Sequence, residues 1–271
     1  MKNHFYISYN GNKRNEAENF YNSIDLSQIK TIIEPFCGTS AISYYIWTMN
    51  PDLKFVLNDN NKFIIEMYNI MKDDEKLKAF EDKINLCIIP EVSKNKESYV
   101  KFIKENNNIF GWFVSYKFFN IRPGLFPLIN KFSKIDFKKF PVYNFYKNAK
   151  IEFYNLDGLE IYEKYKMDNK NLIIMDPPYL NTDNDFYFDS NTNIYEYLYK
   201  NDIIKEKSKI YLILEDNWII KMLFNKYIIQ SYDKRYQTTK KNTTHIIIYN
   251  KKSNKQINKN LKNIEYEEVK G

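Results

Sequence analysis

Short apolar runs alternate with segments of helical period along two stretches of this chain. Thr31-Ile-Ile-Glu34, Leu53–Asp59, Lys150–Tyr154, Leu172–Met175 and Lys209–Leu214 each have the length of a strand, and most end at an acidic residue. Between the first of them, Ala41–Trp47 and Asn61–Lys72 read as helices. In the latter, Phe63, Ile64, Met67, Tyr68, Ile70 and Met71 follow a helical period. Lys226–Ser231 and Thr243–Asn250 are β-rich and predict a closing antiparallel pair. The alternation predicts an α/β fold with a doubly wound sheet, mostly parallel, ending in an antiparallel C-terminal hairpin.

The alternation is lost between 75 and 147. Residues 75–86 read as a helix, followed by Pro90, a Lys/Asn-rich run over 94–108 and the aromatic stretch Phe110–Gly124. An inserted, mainly helical lobe is expected there, with most of its aromatics forming its own core. Lys117, Asn120, Arg122 and Lys131 stand among those aromatics as candidate nucleic-acid contacts, with Lys134, Lys138 and Lys139 as further cations. The expected organisation is one domain from 1–74 and 148–250, the lobe at 75–147, and a charged, flexible tail at 251–271.

Composition narrows the class without fixing it. The 271 residues carry 41 Lys+Arg against 34 Asp+Glu, a net +7, which suits a polyanionic partner but does not require one. Cys37 and Cys87 form no C-x-x-C pair, and His4 and His245 lie far apart. A disulfide framework and a zinc site are therefore not expected. No apolar stretch approaches membrane-spanning length, so an intracellular protein, cytoplasmic or nucleoid-associated, is expected. The Lys/Asn/Ile/Tyr bias suits an AT-rich microbial or viral genome.

Chemistry concentrates where strands end. Glu34-Pro-Phe-Cys-Gly38 followed by a helix is a strand–glycine–helix turn, in which Gly38 lets the backbone approach a ligand; Thr39 or Ser40 is placed to cap the helix. The turn lacks G-x-G-x-x-G, which disfavours a dinucleotide. Asp59 lies 21 positions after Gly38, the offset of an acid that binds ribose hydroxyls, and Asn60 can start the next helix. Asp157 follows the third strand and suits a contact to a cofactor base. Asp176-Pro-Pro-Tyr179 closes the fourth strand with a carboxylate, a rigid turn and an aromatic ring, a pocket for a planar, amino-bearing group. Near the N-terminus, Tyr9-Asn-Gly-Asn-Lys13 sets a glycine turn between an aromatic and a cation.

In this order, Tyr9–Lys13, Glu34–Gly38, Leu57–Asn60 with Tyr68-Asn-Ile70, and Asp176–Tyr179 resemble the Dam-type (alpha-class) N6-adenine DNA methyltransferases. The resemblance covers roughly 5–80 and 148–250. It implies a Rossmann-like sheet that binds S-adenosyl-L-methionine, with a target-recognition lobe between the cofactor half and the catalytic strand. Tyr9, Lys13, Glu34, Pro35, Phe36, Gly38, Thr39, Ser40, Asp59, Asn60, Asp157 and Asp176 become candidate cofactor contacts. Asp176, Pro177, Pro178 and Tyr179 would hold the target adenine, flipped out of double-stranded DNA. The chain departs from the family at Ser40, where a second glycine is usual. The same adenine chemistry on RNA and a catalytically inactive nucleic-acid-binding or partner subunit remain the rival readings.

Overall fold

The computed structural model describes residues 7, 13–87, 95–119, 134–178, 196–197, 200–201, 206–224, 227–235 and 242–250. A seven-stranded sheet organises them. Its strands are β1 (Thr31–Glu34), β2 (Lys54–Asn58), β3 (Lys150–Tyr154), β4 (Asn171–Met175), β5 (Lys209–Glu215), β6 (Ile228–Arg235) and β7 (Asn242–Tyr249). They lie in the order β3-β2-β1-β4-β5-β7-β6. The first five are parallel; β7 runs antiparallel to both β5 and β6. The doubly wound sheet and its C-terminal hairpin thus match the sequence, though β6 starts later and runs four residues further than its apolar pattern suggested.

Continuous apolar runs mark strands covered on both faces, and every residue of β4 is buried. On one face Ile32, Phe55, Leu57, Leu172 and Ile174 meet helices α1 (Ala17–Ser23), α2 (Ala41–Met49) and α3 (Lys62–Lys72). On the other, Ile33, Val56, Ile173 and Leu212 pack beneath α8 (Gly158–Tyr165) and α9 (Trp218–Leu223).

The segment between β2 and β3 is helical where described. Asp73 caps α4 (Asp74–Asn85) by accepting from the Glu75 and Lys76 amides, each at 3.1 Å. The Lys/Asn-rich run contains α5 (Lys96–Glu105), which the sequence did not predict; Asn95 starts it by accepting from the Ser98 amide at 2.8 Å. Asn108 does the same for α6 (Ile109–Val114), which runs into a π-helical turn over Ser115–Phe119. A short 3₁₀ turn (Phe137–Lys139) precedes α7 (Val142–Asn148), which leads into β3.

The aromatics here do more than form a core of their own. Phe80, Phe113 and Phe137 pack on one another, and Phe145 of α7 stands edge-on to Phe55 of β2 at 5.3 Å and 89°. One apolar core therefore runs from the lobe onto the sheet.

Candidate active site

The sheet order reverses direction between β1 and β4, and a doubly wound sheet leaves its ligand crevice at the carboxyl ends of the strands flanking that point. An acid followed by proline stands there on both, Glu34-Pro35 at the end of β1 and Asp176-Pro177 just past β4.

On the β1 side, Gly38 takes a left-handed φ of 47°, the conformation for which glycine was expected. The next turn holds a surprise. Ser40 is also left-handed, at φ 50°, and makes no capping bond to α2; the expected cap at Thr39 or Ser40 is absent. Glu34 does the work instead: its Oε1 accepts from the Ser43 amide in the first turn of α2, at 2.8 Å. The Ser40 hydroxyl is turned away, 2.8 Å from the Thr39 carbonyl and 2.9 Å from the Tyr146 hydroxyl. Phe36 lies against Gly158, where a Cβ would come within 2.3 Å of its ring.

Asp59 follows β2. One carboxylate oxygen accepts from the Gly38 amide and the other from the Asn61 amide, both at 2.9 Å. Helix α3 begins at Lys62 under an Asn61 cap, so Asn60 precedes the helix and does not start it; its carbonyl accepts from the Asn155 side chain. Burial pushes Asp59 up to about 6, although both amide bonds favour the ionised form. Each oxygen keeps acceptor capacity, so the carboxylate can still receive ribose hydroxyls. Burial likewise raises Glu34, to about 7; the Ser43 bonds oppose this, while the Asp176 charge adds to it.

On the β4 side, the Lys13 ammonium forms an ion pair with Asp176 Oδ2. Lys13 is buried at 5% exposure and the Asp176 side chain at 18%, so the pair is shielded and yet Asp176 reaches solvent. The structure brings together two candidate residues 163 positions apart.

Asn58 was missed. Its amide donates to the Pro35 carbonyl at 2.8 Å and the Leu156 carbonyl at 3.0 Å, and its carbonyl accepts from the Leu156 amide at 2.9 Å. It pins the loops after β1 and β3 to the end of β2. The signal was a polar residue at full burial between Leu57 and Asp59.

Asp157 accepts from the Leu159 amide at 2.8 Å and caps α8, a structural duty at the expected place. Lys117 lies half-buried with its ammonium 4.8 Å over the Phe140 ring, and burial lowers its pKa. Tyr9, Tyr179, Asn120, Arg122, Lys131 and the tail at 251–271 lie outside the described residues. Among the described residues no cluster of His, Cys, Asp or Glu could hold a metal, and no helix is long and apolar enough to cross a membrane.

Residues 9–111, which include the Gly38 loop, Asp59 and Lys13, match the family model described as D12 class N6 adenine-specific DNA methyltransferase. The match spans β1, β2 and helices α1 to α5. It is 23% identical over 268 residues to the type II methyltransferase M.CviBI of Paramecium bursaria Chlorella virus NC1A, covering 90% of this chain and 98% of the viral one. It is 25% identical over 246 residues to the type II methyltransferase M.MjaIII of Methanocaldococcus jannaschii, with 81% and 82% covered. Among solved structures, a putative class I S-adenosylmethionine-dependent methyltransferase from Listeria monocytogenes superposes loosely, with a TM-score of 0.40 and 9% identity. That overlay covers 86% of this chain and 57% of the other.

Proposed function

We propose that this protein transfers a methyl group from S-adenosylmethionine to the exocyclic N6 amine of adenine in DNA. The observation that supports the reading is that the Gly38 loop, Asp59 and the Lys13–Asp176 pair follow the carboxyl ends of the neighbouring strands β1, β2 and β4, in a chain whose residues 9–111 match an adenine-specific family. The two type II methyltransferase relatives, each matched over most of its length, point the same way.

The donor set suits the cofactor. A positive-φ glycine gives backbone access, the Asp59 carboxylate can take ribose hydroxyls, and the cation of Lys13 stands near the same crevice. When bound, S-adenosylmethionine supplies an electrophilic methyl group on sulfur.

The chain's own residues then have to improve a poor nucleophile, because the adenine amine's lone pair is conjugated into its ring. Asp176 and the Pro177 carbonyl accept the two amine N–H bonds, draw the nitrogen toward tetrahedral geometry and aim its lone pair. Engagement of Oδ2 by Lys13 does not exhaust a carboxylate, which has about four acceptor sites, and it fixes where Asp176 points. Catalysis here is orientation and charge placement, without a covalent intermediate on the protein. Cys37 agrees with this: buried, its thiol is pushed well above its ordinary pKa. Tyr179 completes the reading as a stacking face for an adenine flipped from the duplex, and basic residues of the 75–147 lobe as phosphate contacts.

The test incubates the protein with methyl-labelled cofactor and duplexes containing adenine, with RNA of matched sequence alongside. Label at N6 in DNA is expected; label in RNA alone would move the substrate, and label in neither would refute the activity. Asp176→Ala should abolish transfer while S-adenosylhomocysteine still binds. Loss of both would make Asp176 a structural residue.

A further inference from the structure

Ser40 occupies a place where a side chain is costly. A left-handed residue with a Cβ is strained where glycine is not, and this one is wholly buried in the loop that carries Gly38. Beside it stands Tyr146, which no reading of the sequence singled out. Tyr146, from α7 at the far end of the lobe, brings its hydroxyl 2.9 Å from Ser40 Oγ and 3.1 Å from the Thr39 carbonyl. Ser40 Oγ is itself 2.8 Å from that carbonyl. The two hydroxyls can share their protons in either of two ways. Ser40 donates to the Thr39 carbonyl while Tyr146 donates to Ser40, or Tyr146 donates to the carbonyl while Ser40 donates to Tyr146. Both leave the carbonyl satisfied.

The ring of Tyr146 stacks on Tyr68 of α3, with centroids 4.4 Å apart and planes at 22°. The Tyr68 hydroxyl donates to the Gly38 carbonyl. Two stacked tyrosines thus hold the consecutive carbonyls of Gly38 and Thr39, and Tyr146 also holds the hydroxyl of Ser40.

We infer that Tyr146 is a positioning residue for the cofactor loop: its hydroxyl anchors the strained Ser40 and so replaces the second glycine that the resembled family carries. The inference deepens the proposed function and takes its cofactor from it. It also gives the lobe a physical connection to the cofactor crevice, because α7 both ends the lobe and supplies the anchor. A glycine at position 40 would adopt the same φ unaided and need no hydroxyl partner.

The decisive experiment is a double-mutant cycle on the full chain with Tyr146→Phe, Ser40→Gly and both together, each checked for cooperative thermal unfolding. Losing one net hydrogen bond predicts that Tyr146→Phe weakens S-adenosylhomocysteine binding about fivefold by calorimetry. The same change made in a Ser40→Gly background should cost a different amount, because the strain is gone and Tyr146 is then the hydroxyl left to hold the Thr39 carbonyl. A Tyr146 that merely fills the core would cost the same in both backgrounds, and that outcome overturns the inference. Ser40→Ala, which keeps the Cβ and removes the hydroxyl, should bind at least as weakly as Tyr146→Phe; wild-type affinity in that variant would also overturn it. Amide hydrogen exchange at residues 38–43, measured without any ligand, separates this from the cofactor assignment. Faster exchange in both Tyr146→Phe and Ser40→Ala supports the anchor even if the wild type bound no cofactor; unchanged exchange removes it.

Discussion

Adjacent strands β1 and β4 lead to the same two-letter phrase, acid then proline, and the structure gives the two acids opposite duties. Glu34 is 4% exposed and spends an oxygen on the first turn of α2. Asp176 stands two residues further along the shared register, since Ile33 pairs with Ile173, and it meets Lys13 with part of its surface open. Two positions of extra reach separate a carboxylate that caps a helix from one that can meet a substrate. The residue type alone does not decide the role; how far it projects beyond the sheet does.

The largest effect that can break this contrast is on turnover. Asp176→Asn keeps the shape but turns one acceptor into a donor facing an amine, and kcat should fall on the order of 10²–10³-fold, the cost of losing one placed polar group in an active site. Glu34→Gln keeps an acceptor for the Ser43 amide and should lose far less. Equal losses in a labelled-methyl assay would mean that both acids touch the reaction.

Next in size is the pH dependence of stability. Glu34 and Asp59 both hold protons more tightly folded than unfolded, at about 7 and about 6. Between pH 4 and 7 the native state therefore binds more protons than the unfolded state, and stability falls as pH rises. Glu34→Gln removes its share of that fall. Denaturant melts at pH 8 should show the variant more stable by on the order of 3 kcal/mol at most, with little difference at pH 4. A variant less stable at pH 8 would mean that the ionised Glu34 is compensated by partners beyond Ser43.

Smallest is Lys13→Met, which removes the cation that distinguishes the Asp176 side. Loss of one charge-assisted contact predicts a fall in kcat of about tenfold, with S-adenosylhomocysteine affinity changed less. A larger loss of affinity than of turnover would assign Lys13 mainly to the cofactor.

The frame of this molecule was legible because local patterns write it. Apolar runs such as Leu172–Met175 end abruptly at polar residues, and Gly38 needed its backbone freedom. Asp59 stood at the right distance from Gly38, and the structure joins them directly through the Gly38 amide. What escaped was tertiary. The capping of α2 passed from Ser40 to Glu34 because a left-handed Ser40 aims its hydroxyl at Tyr146, 106 residues away. The Lys13–Asp176 pair spans still more chain. Helix α5 hid in a Lys/Asn-rich run whose apolar content is low, although Asn95 was a readable cap. Asn58 was quoted as part of a motif without a duty, since its three bonds go to loops that only the folded sheet brings together.

The strand order also sets a sequence of events during synthesis. The first three strands form one half of the sheet, β3-β2-β1, and β1 is its open edge until β4 arrives. Asn171 emerges 137 residues after Glu34, counting 171 minus 34, which at ribosomal speeds is roughly ten seconds. By the end of that interval the Gly38 loop, Asp59 and Tyr146 are in the nascent chain while Asp176 is not. The strands that carry the Gly38 loop and Asp59 are thus made before the strand that leads to Asp176, and that later strand is the one that seals the exposed edge.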